Sequence, residues 1–68
     1  MFSFGEKFQE LWAQIPTIVT YQDYVGLANL IDDAYTGYEI TERDEQTLLE
    51  ALRVFKNARK IQKRADWE

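Results

Sequence analysis

Thr41-Glu42-Arg43-Asp44, with the run Leu48-Leu49-Glu50-Ala51-Leu52-Arg53-Val54-Phe55-Lys56-Asn57-Ala58 behind it, decides how this chain folds. The first four residues spell a capping box. The Thr41 hydroxyl can accept from the backbone N–H three residues on, while the Asp44 carboxylate reaches back to the Thr41 N–H. Acids crowd the first turn that follows (Glu42, Asp44, Glu45), and bases gather toward the far end (Lys60, Lys63, Arg64). Both placements complement the helix dipole. The pattern predicts a long C-terminal helix over about 42–65, ~36 Å at 1.5 Å per residue.

That helix carries two apolar rows. Leu48, Leu52 and Phe55 form one of large side chains, continued by the polar Arg59 and Gln62, and it is assigned to the domain core. Ala51, Val54, Ala58, Ile61 and Ala65 form the other, spaced three, four, three and four. Heptad spacing with small residues lets a second helix approach closely. One wide arc wrapping a three-helix core would explain the same residues, because alanine favours helix anyway. The second row, however, runs past the point where two shorter helices could cover it, and an uncovered apolar row marks a protein-binding surface.

Two further boxes lie upstream, Thr20-Tyr21-Gln22-Asp23 and Ser3-Phe4-Gly5-Glu6. Behind the first, a helix is predicted over about 21–36, with Val19 and Tyr24 placed for a hydrophobic staple and Gly37 as a left-handed stop. Its apolar residues cover half the circumference or more, so it is central or is covered by something outside its own chain. Behind the second box, Phe4, Phe8, Leu11 and Ile15 predict a helix over about 4–15, with Trp12 on the flank of its core stripe. Pro16 ends that helix by pushing the residue before it out of the helical region. Thr17-Ile18-Val19 reads as a short extended connector. The predicted fold is all-α: one small three-helix domain over residues 1–68.

Composition narrows the chemistry. Among 68 residues there is no cysteine and no histidine, which excludes disulfides, Cys/His zinc sites and histidine acid–base catalysis. Asp32 to Gly37 imitates an EF-hand start, but Ala34 and Arg43 stand where calcium ligands belong. Asp32 and Asp33 diverge by about 100° on a helix, so they are no catalytic pair. The start of the chain has neither a basic segment nor a continuous apolar one, so no secretory signal is expected. No apolar stretch approaches the ~20 residues of a membrane span. The expectation is therefore a cytoplasmic protein that is not an enzyme and has no cofactor, metal, membrane or small-molecule substrate.

Charge is distributed unevenly. Residues 1–52 hold ten acids and two bases, net −8, while residues 53–64 hold six bases and no acid. A helix-turn-helix reading fails on this, because the start of the last helix would bring three acids and one base to the phosphates. The basic end supports an alternative, salt-sensitive phosphate contacts by Arg53, Lys56, Lys60, Lys63 and Arg64. A dipole-matched, solvated helix face explains the same cations.

The leading expectation is a small protein–protein interaction module. It would self-associate as a homo-oligomer or dock on a larger protein through Ala51, Val54, Ala58, Ile61 and Ala65. The tyrosine side of helix 2 (Tyr21, Tyr24, Tyr35) is added as a weaker hint because tyrosine suits interfaces, although core tyrosines with wet hydroxyls are the simpler explanation. A variant is an acidic antagonist whose Asp32, Asp33, Glu39, Glu42, Asp44, Glu45 and Glu50 engage a basic protein surface. The alternative is a nucleic-acid-binding accessory protein.

Overall fold

The computed structural model describes residues 5–61. Within them lie three α-helices and no strand: α1 (Glu6–Gln14), α2 (Tyr21–Thr36) and α3 (Glu42–Ala58), with a 3₁₀ turn at Ile15–Thr17. The all-α class expected from the sequence holds.

α1 starts later than Phe4. Gly5 is its N-cap in an extended conformation, with no side-chain cap bond. The predicted box on Ser3 lies outside the described residues. Phe8 and Leu11 bury their side chains, as the stripe requires, and Ile15 continues the row from within the 3₁₀ turn. The effect expected of Pro16 is corrected here: Ile15 keeps helical angles (φ −56°, ψ −49°). Pro16 instead occupies the first turn of the 3₁₀ segment, where its missing N–H is not needed.

The two downstream boxes form as expected. Thr20 Oγ1 accepts from Asp23 N at 3.1 Å, and Asp23 Oδ2 accepts from Thr20 N at 3.1 Å. The same oxygen takes Val19 N at 3.0 Å. The Val19 and Thr20 amides, in that order, hold the Asp23 carboxyl below the usual carboxylate range. At α3, Asp44 N donates to Thr41 Oγ1 at 3.1 Å and Thr41 N to Asp44 Oδ2 at 3.4 Å. The hydrophobic staple is corrected: Val19 is 73% exposed, and its neighbour Ile18 is the buried residue of the connector.

Both helices end by the same device, one the sequence pattern did not reveal. After α2, Glu39 N donates to Ala34 O and Tyr38 N to Tyr35 O, with Tyr38 at φ 63°. After α3, Ile61 N donates to Lys56 O and Lys60 N to Asn57 O, with Lys60 at φ 59°. These are Schellman motifs whose left-handed residue is not glycine. Gly37 therefore does not supply the left-handed position; its φ is −84°. It is the C-cap, the place that Arg59 fills with nearly the same angles after α3.

The predicted end of α3 near Ala65 is also corrected, because the helix stops at Ala58. The reason is Ile61. In a continued helix it would sit seven residues beyond Val54, hence on the same outward face. Reversal at Lys60 carries it into the core instead, where it is 8% exposed. Burying an isoleucine contributes about 1.5–3 kcal/mol, which offsets the roughly 1–2 kcal/mol of a left-handed lysine. Residues 62–65 of the predicted helix lie outside the described residues.

The core is assembled from all three helices and both connectors: Phe8, Leu11, Ile15, Ile18, Leu27, Ile31, Ala34, Ile40, Leu48, Leu52 and Ile61. Leu11, Ile31, Leu48 and Leu52 are its most enclosed large side chains. α2 and α3 make the most extensive pairing, and α1 packs on both. No described polar or charged side chain is buried. No described helix is long and apolar enough to cross a membrane.

Candidate protein interface

α3 turns Leu48 and Leu52 inward at 0% exposure, so Val54, about 140° around the helix from their mean direction, points outward. It is 57% exposed. Ala51 is half-buried at the edge of the core, and Ala58 is exposed. Alongside them α1 and the 3₁₀ turn contribute Trp12, Ile15 and Pro16, and together with Phe55 these residues enclose a shallow groove of about 330 Å³. Every residue lining it is apolar. Trp12 stacks on Phe8 at 5.8 Å between ring centres yet leaves 48% of its own surface exposed.

The predicted row is thus brought together only in part. Ala51, Val54 and Ala58 share the groove, whereas Ile61 has left the row for the core. Ala65 lies outside the described residues. Trp12 and Pro16 are the members that the sequence reading missed. Trp12, expected only as the flank of the core stripe, stays outside the core and forms a wall of the groove. The signal was its position one residue past Leu11, off the Phe8–Leu11–Ile15 stripe, which a narrow helix face cannot accommodate.

The tyrosines do not form one surface. Tyr21 and Tyr24 lie 5.5 Å apart between ring centres, half-buried against the core. Lys56 Nζ sits 5.2 Å above the Tyr24 ring. Tyr35 borders a different hollow, an open depression of about 940 Å³ at the α2–α3 turn, shared with Tyr38, Ile40 and Thr41. Tyr38, which sequence reasoning did not single out, is 94% exposed there. Part of its polar wall is engaged within the fold: Asp44 caps Thr41, and Glu39 lies 4.0 Å from Lys7.

The basic residues are also dispersed. Arg53 and Lys60 are exposed, but Lys56 covers Tyr24 and the Arg59 guanidinium lies 4.8 Å over Phe55. Lys63 and Arg64 lie outside the described residues. Of the acids proposed for an antagonist surface, Asp32, Asp33, Glu42 and Glu50 are exposed and Glu45 is half-buried. Glu50 and Arg53, neighbours one turn apart on α3, form no ion pair; the ion pairs of the described residues are Lys7–Glu10 at 3.3 Å and the looser Lys7–Glu39. Among the described residues no group of three His, Cys, Asp or Glu side chains converges to hold a metal ion.

No family model, curated protein or solved structure matches the chain.

Proposed function

We propose that this protein is a small, non-catalytic protein–protein interaction module that docks through the face shared by α1 and α3. The observation that carries this is the all-apolar groove, with half-exposed Trp12 on one wall and outward Val54 on the other. Tryptophan anchors in desolvated pockets supply a disproportionate share of binding energy at protein interfaces. The small side chains of Ala51 and Ala58 let a partner's backbone or side chains come close. The groove is built on α1, the 3₁₀ turn and α3, hydrogen-bonded elements that hold it in shape before a partner arrives, so little ordering entropy opposes binding.

The reading is tested with a photoreactive phenylalanine derivative placed at Val54, and as control at the exposed Asn29 of α2, in cells that make the protein. A discrete covalent adduct to protein from Val54 but not from Asn29 is the expected result. Equal, diffuse or absent adducts at the two positions contradict docking through this face.

A further inference from the structure

The same face suggests its own partner, an inference that rests on the docking reading above. Val54 is a ridge, and the groove beside it is bounded by Ala51 one turn back on the same helix. A ridge and a hollow so placed are self-complementary about a twofold axis, since each copy's ridge meets the other's hollow. With that axis midway between residues 52 and 53 of an antiparallel α3 pair, Val54 falls opposite Ala51, and Thr47 opposite Ala58.

Charge selects the same orientation. Glu50 and Arg53 flank the row on the side away from α1, both exposed and neither in an ion pair among the described residues. In that register an antiparallel pair brings Glu50 of each copy to the same flank as Arg53 of the other, about 3 Å apart along the helix axis and within reach of the two long side chains. A parallel pair would instead lay the acidic first half of each helix beside the acidic first half of the other, and the basic half beside the basic half, and juxtaposed like charges disfavour a partner. The whole segment agrees: residues 42–50 hold four acids and one base, while residues 53–60 hold four bases and no acid. Head-to-tail alignment therefore places net −3 against net +4. We propose that the occupant of the α1–α3 groove is a second copy of this chain, with the two α3 helices antiparallel and Val54 of each seated beside Ala51 of the other.

Sedimentation of the full chain, from low to high micromolar concentration, tests this. A monomer–dimer equilibrium is expected for the unmodified protein. Glu50→Arg and Arg53→Glu should each weaken association about tenfold, and the double swap should restore most of it. Circular dichroism checks that these exposed substitutions leave the helices intact. Orientation is read separately, because the chain has no cysteine of its own. When Thr47→Cys and Ala58→Cys proteins are mixed and oxidised, cross-links should join one variant to the other; like-with-like links would overturn the antiparallel pairing. A wild-type chain that stays monomeric at high micromolar concentration overturns self-pairing altogether. The Val54 photoadduct then separates the two ideas: an adduct to a different protein leaves the docking face standing, and no adduct removes both.

Discussion

α3 presents two apolar rows that differ in what completes them. Leu48 and Leu52 are wholly enclosed by side chains from α1, α2 and the connectors. Val54 and Ala58, on the same helix and within two turns of them, stay exposed although a neighbouring groove offers them apolar company. The difference teaches that helix amphipathicity alone does not locate a core. A row becomes core where the rest of the chain has length enough to cover it. Here that length ends with α1 and the turn after α3.

The comparison breaks first on its inner side. Leu52→Ala should destabilise the protein by about 2–5 kcal/mol, since the cavity left in a fully enclosed position adds to the lost burial. In a chain this small that approaches the whole stability, and denaturant unfolding would show it as a collapse of the transition midpoint. The next effect is smaller. Thr41→Ala removes the side-chain half of the box that fixes where α3 begins, and should cost about 1 kcal/mol.

Tyr38→Gly should act in the opposite direction. It relieves a left-handed tyrosine whose own side chain is almost wholly exposed, and a gain of about 0.5–1 kcal/mol in thermal unfolding is expected after glycine's own entropy is deducted. Lys60 occupies the equivalent place after α3, and each reversal is followed by a buried isoleucine, Ile40 after Tyr38 and Ile61 after Lys60. A smaller effect is expected in acid. Because the Asp23 carboxyl is held below its ordinary value, its contribution is fully present above about pH 4 and fades as pH falls through the lowered value. Asp23→Asn should flatten that part of the pH–stability curve.

Much of this architecture was legible in the residues. Two of three capping boxes, the Leu48–Leu52 row and the Phe8–Leu11–Ile15 stripe are local patterns, and local patterns survive folding. The failures share a cause. Where α3 ends depends on whether Ile61 gains more by extending the outward row or by returning to the core, a choice that only tertiary contact decides. Lysine carries no stop signal, and neither does a tyrosine placed after a glycine. The groove was half legible for the same reason. Its α3 wall followed from heptad spacing, but the Trp12 and Pro16 wall comes from an element whose packing angle the sequence pattern does not contain.

The central claim is that Val54 is an apolar residue the fold itself does not require. The direct measurement is the unfolding free energy of Val54→Glu beside wild type, in dilute solution where no partner is bound. Agreement within about 0.5 kcal/mol is predicted, as for an ordinary surface substitution. A loss on the scale expected for Leu52→Ala would contradict it, placing Val54 in the core and closing the face to any partner.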